Sequence, residues 1–201
     1  MRSSARARSR RARRRATALR ALCAALVVAR ARGETDDAVV DDALERARTP
    51  LVYAVSDRNA TRVREVLAAT PAACERERTP HGETALHVAA IEVDLEIVDA
   101  LLASGSCDAD ARTNGGRYLS QTAMMWFAHG PTEAHARAME ALIEGGADAN
   151  LENDDGRTAL DIVEEGRAGD EAWEMKMSAL KKCGAKRGRG KAAREAEKVE
   201  L

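Results

Sequence analysis

The sequence predicts an all-α fold in which similar helix–turn–helix units stack side by side, joined by hairpin-like loops. Four similar stretches begin at Thr49, Thr84, Thr122 and Thr158, at spacings of 35, 38 and 36 residues. A second apolar stretch follows each of them, and a unit of this kind buries its apolar face only against its neighbours. The chain has only five aromatic residues. A core built from Ala, Leu, Val, Ile and Met favours closely packed helices over a β-sandwich.

Charge divides the chain into three parts, although the formal net charge is only −1. Residues 1–33 contain eleven Arg and no acidic residue, and residues 34–180 contain thirteen basic and thirty acidic residues, a net charge of −17. Residues 181–201 contain eight basic and three acidic residues. The acidic middle argues against a nucleic-acid-binding face in the repeats.

Residues 1–31 are predicted to be a targeting peptide. A basic head precedes nine uncharged apolar residues, Ala21–Ala29, and small residues follow at a spacing that suits signal peptidase. This is the layout of a secretory signal peptide, and the apolar run is too short to span a membrane. Two alternatives stay open: an organellar transit peptide, or a basic tail that acts in nuclear import.

Three further segments follow the leader. Residues 34–48, "ETDDAVVDDALERAR", are predicted to form an acidic helix that caps the N-terminal end of the repeats. Residues 49–185 form the repeats. The basic tail, residues 186–201, is predicted to be disordered or weakly helical.

Two stretches carry a resemblance to a known family. "HGETALHVAAIEVDLEIVDALLASG" (His81–Gly105) and "GGADANLENDDGRTAL" (Gly145–Leu160) resemble the ankyrin repeat almost position by position. The resemblance covers about residues 45–188 and implies an ankyrin-repeat solenoid of about four repeats. The outer repeats depart from the pattern, as capping repeats do. Two insertions lengthen the spacing, "NGGRYLSQ" (Asn114–Gln121) and "HGPTEAHA" (His129–Ala136).

Several residues are expected to have structural roles. Thr84 and Thr158 are predicted helix N-caps, and His87, three residues after Thr84, lies on the same helix face and can bond to it. Glycine is expected at positions of positive φ in the loops, namely Gly105, Gly146 and Gly156.

The resemblance implies a protein-binding role through an inner concave surface. In each repeat one residue directly follows the His position. These four residues are expected to form an apolar stripe on the concave surface: Tyr53, Val88, Trp126 and Ile162. The hairpins are expected to add Arg78, His81, Arg112, Tyr118, Glu152 and Asp155. The expected partner is another protein with a basic or amphipathic segment, bound by a monomer. The alternative is that the stripe residues point inward and complete the packing between repeats.

No catalytic or metal-binding pattern is found. The four histidines have no partners at a metal-ligand spacing, and His129 and His135 are interpreted as solvated residues of a turn. No glycine-rich phosphate loop is present, so neither an enzyme nor a cofactor is expected. Free thiols are expected at Cys74, Cys107 and Cys183, since a disulfide needs Cα atoms within about 7 Å and stacked repeats usually lie further apart.

Two short motifs bear on the compartment. Asn59-Ala60-Thr61 is an N-glycosylation sequon, expected at an exposed turn. The C-terminal Lys198-Val199-Glu200-Leu201 resembles the retrieval signal of the endoplasmic reticulum, with Val in place of Asp. The favoured function is therefore a non-catalytic interaction module in the secretory pathway. The alternatives are a nuclear or cytosolic regulator with basic tails, and a plastid or mitochondrial adaptor.

Overall fold

The computed structural model describes residues 45–166 and 171–190. The predicted targeting peptide, most of the predicted capping helix and the end of the tail lie outside these ranges. The chain divides into two compact units, Met1–Pro50 and Leu51–Leu201. In the first unit, residues 45–48 are helical, and Arg48 Nη1 lies 3.1 Å from Glu45 Oε1 in an exposed ion pair.

The described residues form a series of helix pairs, one pair in each repeat. They contain no strand, only one isolated antiparallel bridge between Arg112 and Thr122. The first helices of the four repeats are α1 (Pro50–Ser56), α4 (Ala85–Glu92), α6 (Ala123–His129) and α8 (Ala159–Glu165). The second helices are α2 (Ala60–Ala69), α5 (Leu95–Ala103), α7 (Glu133–Glu144) and α9 (Trp173–Lys182). A one-turn helix, α3 (Ala73–Arg76), follows α2, and a 3₁₀ turn covers Gly116–Tyr118.

The helices pack in two layers. The first helices α4, α6 and α8 contact one another in order, as do the second helices α2, α5, α7 and α9. The core between the layers contains mainly aliphatic residues, Ala and Met, and Phe127 is fully buried within it. The predicted all-α repeat fold is therefore confirmed. The short side chains of the core let neighbouring helices approach closely.

Threonine caps three of the first helices, and these include the two predicted caps, Thr84 and Thr158. The hydroxyl Oγ1 of Thr84 lies 2.9 Å from Nδ1 of His87, and the backbone N–H of Thr84 donates to the same nitrogen. In α8, Thr158 makes the equivalent capping box with Asp161 Oδ2, at 2.8 and 3.0 Å. Thr122 Oγ1 accepts from the N–H of Met125. These bonds satisfy N–H groups that the helix itself leaves without acceptors.

The first repeat caps its helix differently. The carboxylate of Glu77, 26 residues away in sequence, accepts from the N–H groups of Leu51 at 2.6 Å and Val52 at 3.2 Å. Glu77 is only 8% exposed. Burial raises the pKa of this carboxyl, and its two backbone hydrogen bonds oppose that rise. Local sequence does not reveal this cap, because the carboxylate comes from the following loop.

A buried lysine caps the C-terminus of α6, the first helix of the third repeat. Lys176 of α9 is fully buried, and its Nζ donates to the carbonyl oxygens of Ala128 and Gly130. The carbonyl groups at a helix C-terminus lack intrahelical partners and carry partial negative charge, so an ammonium group is favourable there. The contact ties the second helix of the fourth repeat to the third repeat.

A disulfide corrects the expectation of free thiols. Cys74 and Cys107 are bonded, with their Cα atoms 4.9 Å apart. The expectation was wrong because it used the usual separation of stacked repeats. Here α3 brings Cys74 beyond the end of α2, next to the loop that follows α5. Cys183 is a free, exposed thiol.

The beginning of the tail also differs from the prediction. Lys186–Gly190 is neither disordered nor helical but runs alongside the hairpin of the fourth repeat, where Gly190 N–H donates to Gly156 O at 2.9 Å. We call these five residues the strap. The prediction failed because Arg- and Gly-rich composition indicates weak intrinsic structure, whereas the ordering comes from partners in the preceding repeat.

Candidate protein-binding face

The predicted apolar stripe is only partly exposed. Val88 is 8% exposed and Ile162 is 3% exposed, so both belong to the core and the prediction that they face a partner is wrong. Tyr53 and Trp126 are partly buried. The reason is the close stacking of α4, α6 and α8, which covers this helix position with the neighbouring repeat. For Val88 and Ile162, the alternative of inward packing is therefore the correct one.

The exposed position lies three residues further along each first helix. It is occupied by Ser56, Ile91, His129 and Glu165, all of which are exposed. Ile91 is 60% exposed. Within the part of the chain that the structure describes, it is the one large hydrophobic residue that is exposed. Each of these residues lies seven positions after the Thr that starts its repeat, but this spacing alone does not show that the position is exposed, because Val88 and Ile91 are both apolar.

An open groove lies between α4 and α6, the first helices of the second and third repeats. Ile91 and Trp126 provide its apolar surface, and the groove is completed by Ala90, Gln121, His129 and Gly130. The Trp126 indole stands edge-on to the His87 ring, with centroids 5.5 Å apart. Acidic residues lie at the ends of the first helices, namely Asp57, Glu92, Glu164 and Glu165, and two of them are paired: Glu164 with Arg187 and Glu165 with Arg157. The groove therefore has an apolar centre and an acidic surround, formed by Glu92 directly after Ile91 and by Glu165 close to His129.

The predicted hairpin arginines brace adjacent hairpins while remaining exposed. Arg78 Nη1 donates to the carbonyl oxygens of Gly82 and Arg112, at 3.1 and 3.3 Å. Arg112 Nη1 donates to Glu152 O at 2.6 Å and to Ser120 O at 3.2 Å. The Glu152 side chain is mostly buried beneath Arg189 of the strap. Asp155 is partly buried in the last hairpin, where its N–H donates to Asn153 Oδ1.

The insertion in the second hairpin folds against its neighbours. The Tyr118 ring stacks on His81, with centroids 4.4 Å apart and an interplanar angle of 25°. Leu119 O accepts from Asp154 N–H at 2.8 Å, and Ser120 Oγ donates to Asp154 Oδ2. Leu119 and Ser120 adopt positive φ values of 60° and 50°. The insertion thus joins three successive hairpins into one edge, on which His81 and Tyr118 present a stacked pair.

His87 connects two repeats and stays neutral. Its Nδ1 accepts from the N–H of Thr84, so the ring proton lies on Nε2, which donates to Gln121 O at 3.0 Å. Burial lowers the pKa of His87 to about 4, and Arg78 adds to this effect, while the bond to Gln121 opposes it. Besides the bond predicted between Thr84 and His87, the ring thus forms a link to the next repeat that local sequence does not reveal.

The loop glycines have the backbone conformation that was predicted. The φ angles of Gly105, Gly146 and Gly156 are 63°, 91° and 69°. At Gly156 a side chain is also excluded by space, because a Cβ there would lie 2.7 Å from the backbone of Gly190.

The environment of His135 differs from the sequence interpretation, whereas His129 is exposed as expected. His135 is buried in the first turn of α7, and its Nδ1 lies 2.6 Å from Thr132 Oγ1, so it is not a solvated turn residue. His129 is exposed at the end of α6. Within residues 45–166 and 171–190, no group of three or more His, Cys, Asp or Glu side chains is arranged to hold a metal ion. No helix in those ranges is long and apolar enough to cross a membrane.

Two comparisons bear on the fold. A family model described as ankyrin repeats (3 copies) matches residues 17–113. This match begins inside the segment predicted to be a targeting peptide and ends in the hairpin after the second repeat. No curated protein matches the sequence.

A solved structure gives the second comparison. The crystal structure of EF0377, an ankyrin repeat protein, has a TM-score of 0.55 and 22% sequence identity, over 65% of this chain and 62% of that chain. The match thus spans less than two thirds of that protein, and at this identity it concerns the fold alone. The capped helix pairs, the linked hairpins and both comparisons together show that this chain has the ankyrin-repeat fold.

Proposed function

We propose that the chain is a non-catalytic module that binds another protein through the groove around Ile91 and Trp126. Ankyrin repeats are generally protein-interaction modules, and the observation that carries the proposal is the exposed Ile91 beside a partly exposed Trp. Large apolar side chains exposed in a groove are typical of binding sites, and Trp is frequent among residues that dominate binding energy. The acidic surround fits a partner segment that is basic or amphipathic, and we propose that the chain binds it as a monomer.

Replacing Ile91 tests this role. We expect Ile91→Glu to abolish recovery of a specific cross-linked protein from the native cells, because it places a charge in the apolar centre. The matched control is Ala103→Glu, which adds the same charge at the exposed end of α5 in the other helix layer. Both variants should keep the thermal unfolding midpoint of the parent. Unchanged cross-linking by Ile91→Glu, or equal loss in the control, would contradict a binding role for the groove.

We further propose that the protein works in the secretory pathway, and in the lumen of the endoplasmic reticulum if its C-terminal tetrapeptide is read there. Disulfides form and persist in oxidising compartments and are rare in the cytosol, and Cys74 and Cys107 are bonded. The predicted leader and the retrieval-like C-terminus favour the same compartment.

A nuclear or cytosolic regulator with basic tails is the alternative function, and a plastid or mitochondrial adaptor is a third. The disulfide disfavours a reducing compartment. The strap also has less unpaired positive charge for nucleic acid than its composition suggests, because Arg187 pairs with Glu164 and Arg189 with Glu152.

Asn59 is proposed as an N-glycosylation site that reports the compartment. Asn59 is exposed between α1 and α2, and its Oδ1 accepts from Arg62 N–H at 2.8 Å as the N-cap of α2. A glycan bonds to Nδ2 and leaves this carbonyl in place, so the cap survives modification. The donor is a lipid-pyrophosphate-linked oligosaccharide: the amide nitrogen forms a bond to the sugar C1, the C1–O bond to pyrophosphate breaks, and the amide proton is lost to a base.

The neighbouring threonine supplies a matched test. In cells that process the native leader, the parent and Thr61→Ser should carry a glycan that an Asn-glycan amidase removes, whereas Thr61→Ala should carry none. All three retain the Asn59 cap. A second set with a proven secretory leader separates the two questions. Glycan acquired only with the proven leader would overturn the secretory localisation, and no glycan with either leader would overturn the site. A glycan that remains of the high-mannose type would support retention in the endoplasmic reticulum.

A further inference from the structure

The strap, Lys186–Gly190, is held by the fourth repeat through both backbone and side chains. Lys186 N–H donates to Asn150 Oδ1 at 2.7 Å, and Lys186 O accepts from Thr158 Oγ1 at 2.9 Å. Gly190 N–H donates to Gly156 O. The strap is therefore an extended segment with a fixed register on the hairpin.

The strap continues a series of contacts between hairpins. Asn114 N–H donates to His81 O, and Asp154 N–H donates to Leu119 O, at 2.9 and 2.8 Å. The bond from Gly190 to Gly156 is the third of the series, 34 residues apart in sequence as compared with 33 and 35 for the first two. The strap thus occupies the place that the hairpin of a fifth repeat would take.

The side chains of the strap are recognised by two acidic residues, Glu152 and Glu164. The Arg189 guanidinium contacts both carboxylate oxygens of Glu152, with Nη2 3.1 Å from Oε2 and Nε 3.3 Å from Oε1. Arg187 Nη2 lies 2.7 Å from Glu164 Oε2. The forked contact of Arg189 with Glu152 favours arginine over lysine at that position.

The fourth repeat is adapted to accept a backbone donor. Asp161 stands where the second repeat has His87, and its Oδ2 accepts from Gly188 N–H at 2.8 Å. A side chain at Gly188 is excluded, because a Cβ there would lie 2.0 Å from Gly156 O. Gly190 has a φ of 78°. The seat therefore favours glycine at both positions, since a side chain is excluded at position 188 and the positive φ disfavours other residues at position 190.

We propose that the acidic edge formed by Glu152, Asp161 and Glu164 is a binding site for an extended Arg-Gly-Arg-Gly segment, and that the strap occupies it in the free protein. An Arg–Gly segment of a partner binds there by displacing the strap. The exchange is feasible because the strap is held by polar contacts and by two ion pairs whose arginine side chains are 72% and 58% exposed, and each such pair contributes little. Its tether gives it an effective concentration in the millimolar range, so a free segment is at a disadvantage until the strap is released. The inference deepens the proposed protein-binding function by naming a partner chemistry at a second surface.

The test uses the full chain and a labelled peptide with the sequence of Ala185–Lys191, AKRGRGK. In the double variant Arg187→Glu/Arg189→Glu, amide hydrogen exchange should show loss of protection at Gly188 and Gly190. Fluorescence anisotropy should then show saturable peptide binding, at least about tenfold tighter than to the parent. Raising the salt concentration should weaken it. The peptide AKRARGK should not bind, because its alanine meets Gly156 O.

Two further variants distinguish the site from general attraction to an acidic protein. Lys181→Glu/Lys182→Glu makes the same charge change on α9, outside the strap, and should bind the peptide as weakly as the parent. Adding Glu152→Gln to the strap-released variant should reduce binding. Equal binding by the parent and the released variant, or no binding to a folded variant whose strap is shown to be released, would overturn the inference. Neither result depends on Ile91, so failure of this inference would not contradict the proposal for the groove, and failure of the groove proposal would not contradict this inference.

Discussion

At the scale of single residues, long-range polar contacts connect the repeats. His87 donates to Gln121 O in the next repeat, Glu77 caps α1 from the following loop, and Lys176 caps α6 from α9. Each satisfies backbone groups that would otherwise be buried without a partner, which is costly in free energy. A change at any of these residues therefore affects two repeats.

The buried imidazole of His87 predicts acid sensitivity. Its pKa is lowered to about 4 when folded, from an ordinary value of 6.5, so the unfolded chain binds the proton more tightly. The stability from neutral His87 is present above pH 6.5 and is lost as the pH falls towards 4. The difference is about 3 kcal/mol in the free energy of unfolding. Urea unfolding between pH 7 and 4 should show this loss in the parent.

The variant His87→Gln isolates that contribution. It should be less stable than the parent at pH 7. Between pH 7 and 4 its free energy of unfolding should fall by about 3 kcal/mol less than that of the parent. Glu77 and Asp110 also titrate, but burial raises the pKa of both carboxyls, so their effects run in the opposite direction and are common to both proteins. Parallel pH curves for parent and variant would show that His87 is not responsible.

At the scale of elements, the helix starts follow from local sequence while the ends of the hairpins depend on their neighbours. Thr84 and Thr158 begin α4 and α8 through capping boxes within three residues. By contrast, the disulfide joins the loops after two second helices, and α3 is the element that brings Cys74 to Cys107. A four-residue helix is too short for hydrophobic periodicity to predict it.

Removing the disulfide should destabilise the first two repeats. The bridge closes a loop with a sequence separation of 33 residues, for which the chain-entropy estimate is about 3 to 4 kcal/mol. We expect Cys74→Ser/Cys107→Ser to lower the free energy of unfolding by up to that amount, measured by urea denaturation. Cys183→Ser is the matched control and should be neutral. Reductant should lower the stability of the parent and leave the double variant unchanged; equal responses would contradict the bridge.

At the scale of the whole molecule, stability in the second unit comes from contacts between adjacent repeats. Such stacks behave as a sum of repeat stabilities and nearest-neighbour interfaces, so terminal repeats can open separately from central ones. The fourth repeat has a neighbour on one side only, and on its other side the strap provides polar contacts.

A matched pair of core substitutions tests this division. Leu101 in α5 and Leu180 in α9 are both fully buried, and each Leu→Ala change should cost about 2 to 5 kcal/mol. Leu101→Ala lies in the interior of the stack and should lower protection from hydrogen exchange in all four repeats. Leu180→Ala should lower protection in α8, α9 and the strap while α4 and α5 keep theirs. Uniform loss in both variants would show that the repeats open as one cooperative unit.

The sequence by itself determined the repeat register, the threonine N-caps of α4 and α8 and the all-α fold, because these depend on spacings of up to 38 residues and on local hydrogen bonds. It also placed Gly105, Gly146 and Gly156 at positions of positive φ. It did not determine which helix position faces solvent, since Val88 and Ile91 are both apolar and only the packing of adjacent helices covers one and exposes the other. Only the tertiary structure decided the Cys74–Cys107 bond and the seat of the strap, because both depend on distances between segments that sequence spacing does not fix.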